Sequence, residues 1–599
     1  MSVVRALAVL VFLVAHAGCG VPLQEQAAVL ANTCQSDSDC ASGATCASLA
    51  SGANACIAVR VDLPGLLLEV RPNPSASIAA DTSYLVDPSN PGMYQFAQDS
   101  FNLQRSDPAG IVQPFDVRLP KLITIARGVV QASVEDVSPS CTPAERAVPV
   151  DIELQRVASF VGIPSARYVA TTVTAQGDPV PAFKIAVVPD SYNIYVSPTR
   201  PPSGGDKSAC TIATLPPAYF PSQSIDMDAD LNITLPPLKS LHGTLAVPQG
   251  ASLEGWALEI VEPSSGRPIS TTFSLSQAAG VEVVAFELSY YWTFKDSPIL
   301  RLRPPDKTLG PMVHWELASV DLGGGGSVTL TLSDVDLRPK HVEARVVDAE
   351  GQPVVASVEI QSTKLSGLTN ASYKVSTETG ADGAFAAELL LGDYRVLARP
   401  ILDNTKALGL ASWPIKAEDL CCGRTLELSE RTALAGAART PGGRALVDSS
   451  VVLSPSLPKP SKYLANALGL AVVLPRESST VSDATGAFAI GVDPGQYDLS
   501  IRPREGSYFS WIVRSRLAVS SSPAASNLGP LEGGYPAILR GTIQDGSGAV
   551  VAGAVVRAWL PIPDTMSPDV VAETVMQVAE AKTDDGGRYV LPLPTSLAQ

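Results

Sequence analysis

Positive charge, histidine and aromatic side chains are all scarce in this 599-residue chain. Against 59 Asp and Glu stand 43 Lys and Arg, a formal net charge of −16 with a pI near 4.8. Nucleic acids are held through clusters of Lys and Arg on their phosphates, and so acidic a chain repels them. Nucleic-acid binding is therefore excluded as a function class. Four His are present, none of them in an H-E-x-x-H or H-x-x-E pattern, and there is no G-x-S-x-G elbow and no Walker loop. The run Gly323–Gly326 leads into Ser-Val-Thr-Leu-Thr-Leu, a strand pattern, so it reads as a linker rather than a phosphate cradle. Catalysis needs titratable groups gathered in a pocket. With so thin an inventory, no catalytic residue, no cofactor and no metal site is expected, and the chain reads as a non-enzyme. Aromatics at 6% argue against a dedicated glycan platform. Apolar runs of the roughly 20 residues that a membrane-spanning helix needs are also missing.

What is abundant is punctuation. The 46 Gly and 50 Pro make up about 16% of the chain against an ordinary ~12%. Such an excess in an apolar, weakly charged chain suits many short strands joined by turns. The expected class is all-β, and the length suggests roughly three to six domains.

The N-terminus carries an address. Arg5 and the apolar stretch Ala6 to Ala15 are followed by Ala15-His16-Ala17-Gly18-Cys19, the layout of a signal peptide. Two cleavage readings stand. Cleavage after Ala17 would release a secreted protein. Ala17-Gly18-Cys19 resembles the bacterial lipobox, which implies acylation of Cys19 after removal of residues 1–18. Of the nine Cys, lipidation of Cys19 leaves an even eight for an oxidising compartment, whereas simple cleavage leaves an odd thiol. Several acyl chains would hold the protein on a membrane, each buried methylene contributing about 0.8 kcal/mol. Gly20 after the Cys resembles the pattern sorted to the outer membrane. Residues 19–33 form a tether. Cys34, Cys40, Cys46 and Cys56 follow in a stretch, 34–56, too short to bury a core, so two disulfides are its expected source of order. Its C-x5-C-x5-C start resembles small Cys-rich modules behind the lipid anchor of myxobacterial surface proteins. A four-thiolate zinc site would want paired C-x2-C knuckles, which are lacking.

From about residue 120 the chain repeats at roughly 100-residue intervals, the length of a domain rather than of a solenoid unit. One unit opens at Ala344, Asp348 and Gly351 and closes with Gly383-Ala-Phe385 and Gly392-Asp-Tyr394. A second opens at Gly436, Thr440 and Gly443 and closes at Gly486-Ala-Phe488 and Gly495-Gln-Tyr497. A third opens at Gly541, Asp545 and Gly548 and reaches Gly587-Arg-Tyr589. Asp-x-x-Gly is turn chemistry, with Asp bonding its own backbone and Gly taking a positive φ. Val342, Ala344 and Val346 alternate with Glu343, Arg345 and Val347, as in a half-buried strand. Phe385, Ala387 and Leu389 repeat the pattern, and so do Tyr394, Val396 and Ala398. Strands with one apolar face must pack sheet on sheet, so each unit is expected to be a small antiparallel β-sandwich.

V-x-D-x-x-G-x-P-V, then D-G-x-F, then G-x-Y-x-V-x-x-x-P resembles the carboxypeptidase regulatory-like domain. The resemblance implies a transthyretin-like, seven-stranded sandwich of the carbohydrate-binding-like fold group. It covers 337–401, 431–504 and 537–590, within domains read as 337–430, 431–531 and 532–599, with weaker echoes in 121–235 and 236–336. Residues 57–120 form a β-rich segment, and the last unit is expected to be incomplete, with an open edge. Tandem sandwiches of about 30 Å each would make an extended rod of roughly 150 Å. Among single residues, Cys141 and Cys210 are expected to pair, and Cys421-Cys422 to form a vicinal disulfide or to pair elsewhere. His341 and Glu343 share a strand face, read as polar residues outward at a unit junction. Asp226-x-Asp228-x-Asp230-x-Asn232 lacks the Gly and Glu of a calcium loop and reads as the solvent face of a strand. Tyr290, Trp292 and Phe294 on one strand face, and Tyr508 with Trp511, are the candidate carbohydrate-binding residues, since stacked rings hold sugar faces; core packing is the competing use. The expected function is a non-enzymatic cell-envelope lipoprotein presenting a binding or adhesive surface to polysaccharide or a surface protein. The alternative is a carbohydrate-binding protein using those aromatic faces.

Overall fold

The computed structural model describes residues 31–49, 52–63, 65–72, 97–119, 123–157, 167–173, 180–199, 215–226, 230–248, 252–276, 282–291, 293, 297–305, 310–317, 327–332, 336–401, 408–420, 423–458, 463–468, 473–520, 526–562 and 574–598. The fold is all-β, built of small two-sheet units, and among the described residues the longest helix is the five-residue Tyr463–Ala467.

The unit with the clearest motifs sets the plan. Its first strand, Lys340–Asp348, buries Val342, Ala344 and Val346 and exposes Glu343 and Arg345. Numbering its main strands 1 to 7 along the chain, strands 4, 1 and 7 form one sheet and strands 3, 2, 5 and 6 the other. Strand 7, Arg424–Leu428, runs parallel to strand 1, and the other neighbours are antiparallel. The same order and the same parallel pair recur in 123–234, 238–331 and 432–532. These units are called sandwiches I (123–234), II (238–331), III (340–428) and IV (432–532). The cores of II and III merge into one cluster.

The fifth unit corrects two expectations at once. The described strands of 57–120 are not a separate segment, and the C-terminal unit is not left open. Its strands Ala537–Gln544, Val555–Ile562, Thr574–Lys582 and Arg588–Leu593 occupy positions 1 to 4. Leu66–Arg71 and Ala97–Phe101 take positions 5 and 6, and Val112–Pro114 with Val117–Arg118 takes position 7, again parallel to strand 1. One core joins Leu66, Leu68, Val70, Phe101 and Val117 to Ile543, Val556, Leu560, Met576 and Leu591. The physical cause is the edge: a four-strand remnant would leave two rows of backbone N–H and C=O groups and an apolar face unpaired. Strands from 66–118 and from 537–593 therefore belong to one composite sandwich. The path through I to IV starts and finishes there, a closed circuit of connectivity in place of the extended rod.

Three packing rules explain the motif spacings. Small residues open each unit because an aromatic side chain of strand 4 lies across them. Ala344 faces Phe385, Gly436 faces Phe488, Gly243 faces Phe286 and Gly541 faces Tyr589 as cross-strand partners; a Cβ on Gly436 would sit 2.6 Å from the Phe488 ring. The turn aspartates act as expected, Asp348 Oδ1 accepting from the Glu350 and Gln352 amides at 3.0 and 2.8 Å. The Tyr of Gly-x-Tyr is a brace, its hydroxyl donating to the carbonyl four residues back: Tyr394 to Leu390 at 2.8 Å, Tyr497 to Asp493 at 3.0 Å, and Tyr192 to Val188. Tyr394→Phe keeps the ring and orphans that buried carbonyl, so a loss of about 1–3 kcal/mol is expected, read as a lower urea midpoint for the transition that includes sandwich III.

Candidate functional site

The Cys-rich module is a hairpin, Ala44–Ser48 against Asn54–Ala58, closed by the disulfides Cys34–Cys46 and Cys40–Cys56. The close approach of Cys34, Cys40 and Cys56 is that of bonded sulfurs with no thiolate to offer a metal. The hairpin is seated on the circuit. Asn32 donates from its backbone to Ser507 at 2.7 Å and from its side chain to the Cys56 and Tyr508 carbonyls at 2.8 and 3.3 Å. Ala58 N–H bonds the Pro536 carbonyl at 2.9 Å, and Leu49, Ala55 and Ile57 pack on Ile538. Cys141 is disulfide-bonded. Cys19, Cys210, Cys421 and Cys422 lie outside the described residues.

Among the aromatic candidates, Tyr290 needs correction as a sugar contact. Tyr290 is 0% exposed in the core of sandwich II, so its ring has no face to offer; Trp292 and Phe294 lie outside the described residues. Tyr508 is half-buried against the Cys-rich hairpin at φ 57°. Trp511 is half-buried against the composite core, with the Arg502 guanidinium 4.3 Å from its ring centroid. Both rings fill a junction between sandwich IV and its neighbours. Two polar readings also resolve. His341 Nδ1 is 2.8 Å from Glu388 and Nε2 3.3 Å from Glu343, an exposed ion-pair cluster in which Glu388 first, then Glu343, raises the imidazole pKa. Asp226 and Asp230 fall between the strands Ala218–Ile225 and Leu231–Thr234 rather than on a strand face, and Asp228 is outside the described residues.

An open cavity of about 290 Å³ lies on the seam of the composite sandwich, lined by Asp116, Arg540, Thr542, Asp584, Arg588 and Tyr589 among others. Its polar groups bind the two halves together: Asp116 accepts from the Thr542 amide at 2.7 Å, and Tyr589 donates to the Phe115 carbonyl at 2.7 Å. Arg588 pairs with Asp584 at 3.0 Å.

Sequence reasoning missed a polar site where sandwiches II, III and IV meet. Tyr463, from the short helix of IV, lies against Gly266 of II, where a Cβ would sit 2.3 Å from its ring. Its hydroxyl accepts from Arg301 Nη1 at 3.0 Å and donates to His314 Nε2 at 3.1 Å. His314 Nδ1 must then donate to the Asn370 carbonyl of III, 3.2 Å away, fixing a neutral tautomer. Arg301 and Arg303 share the buried carboxylate of Glu259 at 2.6 and 3.0 Å. Beside this junction the strand Met312–Glu316 of II continues onto Ala371–Ser372 of III. A second junction joins III to IV through Asp493, 0% exposed. The Asp493 carboxylate accepts from Arg476 Nε and Nη2 and from the Leu410 amide.

No family model matches this chain, and no curated protein matches it. Among solved structures, a Streptococcal ancillary pilin aligns at 13% identity over 51% of this chain and 98% of its own, with a TM-score of 0.19. A minor pilin of Streptococcus agalactiae aligns at 13% identity over 32% of this chain and 94% of its own, TM-score 0.20. The Bacillus anthracis TIE protein aligns at 10% identity over 64% and 68%, TM-score 0.15.

The shifted ionisable groups of the junctions have structural causes. Burial pushes His314 down to about 4, with the Asn370 bond opposing and the Arg301 charge assisting. An unfolded His titrates near 6.5, so between about 6.5 and 4 the unfolded chain holds a proton that the folded chain does not. Stability supplied by this junction is complete above about pH 6.5 and falls as pH drops toward 4. Urea midpoints measured across that window should fall with acid in the wild type and fall less steeply in His314→Gln.

Proposed function

We propose that this protein is a non-catalytic cell-envelope lipoprotein of carboxypeptidase regulatory-like sandwiches, which presents a binding or adhesive surface to a polysaccharide or a surface protein. The observation that carries this reading is the fivefold use of one seven-strand plan, whose best copies hold the Gly-x-Tyr brace and the Asp-x-x-Gly turn that the resemblance rests on. Binding by repeated sandwiches is an inference from architecture. The sequence around Cys19 supports anchoring, and the tether length sets its reach. The thirteen residue-to-residue steps from Cys19 to the pinned Asn32 span at most about 45 Å when extended. Acyl chains on Cys19 would therefore keep the Cys-rich hairpin and composite sandwich close to the membrane.

The test is intact mass and detergent partitioning of the protein made in a bacterium, wild type beside Cys19→Ser. A wild-type mass carrying acyl groups, and detergent-phase partitioning lost in the variant, is the expected result. Cleavage after Ala17 with both forms in the aqueous phase would make the protein secreted and overturn the anchoring.

A further inference from the structure

The strands between Ala537 and Leu593 are closed into a sandwich by strands from 66–118. Five residue pairs join Leu67–Arg71 to Val555–Trp559, and Trp559 Nε1 donates to the buried Glu69 carboxylate at 2.9 Å across 490 residues of sequence. On the other sheet, Val112–Pro114 and Val117–Arg118 run beside Ile538–Arg540 and Ile543–Gln544. Gly541 admits this strand closely, since a Cβ there would lie 2.0 Å from the Phe115 carbonyl. Neither half has a core without the other, because the same cluster draws on both. The halves are complementary ends of one chain, separated by four sandwiches whose path back is held by the Tyr463 and Asp493 junctions.

We propose that the composite sandwich is a strand-exchange joint, through which copies of this chain assemble head to tail, the strands Leu66–Arg71, Ala97–Phe101, Val112–Pro114 and Val117–Arg118 of one copy completing the C-terminal half of the next. The occupant is a second copy because each copy carries both matching halves. Every contact of the joint already exists within one chain, so exchange needs no new surface, which is the condition that makes swapping a low-cost route to assembly. The joint is heterologous, one end meeting the other, so an exchanged array grows as an open series or closes as a larger ring. The balance between closed monomer and array depends on concentration, because exchange trades an intramolecular pairing for an intermolecular one. It depends also on the two junctions, since weakening either frees the arm that brings the ends together.

The test uses Val70 and Val556, cross-strand partners that are both fully buried and that tolerate Cys as a small apolar replacement. The full chain carrying both Val70→Cys and Val556→Cys should form the 70–556 disulfide within one molecule, identified by peptide mass; if it does not, the joint itself is refuted. A heavy-isotope chain with Val70→Cys alone is then mixed with a light chain carrying Val556→Cys alone, and the two are unfolded and refolded together in an oxidising buffer. At high protein concentration, a disulfide-linked peptide joining heavy position 70 to light position 556 is expected, with its yield falling at least tenfold at high dilution. Its absence at high concentration, while the double variant links within itself, would overturn the exchange and leave the joint as an internal clasp.

Discussion

Replacing Leu68 by alanine is expected to destabilise the C-terminal half of the composite sandwich by about 2–5 kcal/mol, the range for a truncated core leucine. Leu68 is 1% exposed, pairs with Ala558 and sits in the core with Val556, Leu560 and Met576. The cavity opens between strands from opposite ends of the sequence, so the damage should be read far from the substitution. Amide exchange should accelerate in 555–562 and 574–582, while 356–365 of sandwich III stays protected. Faster exchange confined to 57–119, with 555–562 unchanged, would mean that the C-terminal strands hold without their N-terminal partners.

That coupling shows where the sequence is legible and where it falls silent. Sandwich III can be read almost strand by strand because its signals are local. Val342, Ala344 and Val346 alternate with polar neighbours, Asp348 makes the turn, and Tyr394 braces its own backbone. Leu66–Arg71 offers no such pattern. It is buried over Leu66–Val70 with a charged Glu69 inside, so there is no period of two, and no Gly-x-Tyr marks it as a fifth strand. Glu69 is held by Arg71, two residues on, and by Trp559, which local patterning cannot connect to it. Tyr290 illustrates a different gap: alternation identifies a shared face, but not whether that face meets solvent. The neighbouring Tyr291 belongs to the core of sandwich I, so both faces of the strand end are covered where two sandwiches meet. His314 and Tyr463 are silent for the same reason. A single His in Met-Val-His-Trp-Glu and a Tyr in a Pro- and Lys-bearing loop acquire meaning only when II, III and IV are placed together.

The Asp493→Ala substitution carries the other large expected effect, because one residue serves both a sandwich and a junction. Its carbonyl accepts the Tyr497 brace, while its carboxylate takes Arg476 Nε at 2.9 Å, Arg476 Nη2 at 2.8 Å and the amides of Arg476 and Leu410 at 3.0 Å. Arg431 Nε stands 3.4 Å away. Burial alone would raise the carboxyl pKa, but the Arg476 bonds, the Leu410 amide and the Arg476 charge override it and hold the group below the ordinary range. Alanine would leave two arginines that are only 16% and 27% exposed facing an empty space, and removing one partner of a buried pair costs about 3–5 kcal/mol. A depressed folded pKa means that this stabilisation is present above the unfolded carboxyl pKa and is lost as pH falls through the folded one. The variant should therefore differ most from wild type near neutrality and converge on it in strong acid. Asp493→Asn keeps an acceptor for Leu410 and should lose less. Exchange at 408–410 and 432–439 locates the damage at the III–IV junction. A neutral-pH loss under about 1 kcal/mol, the scale of exposed pairs, would show that the two sandwiches stand without this ion pair.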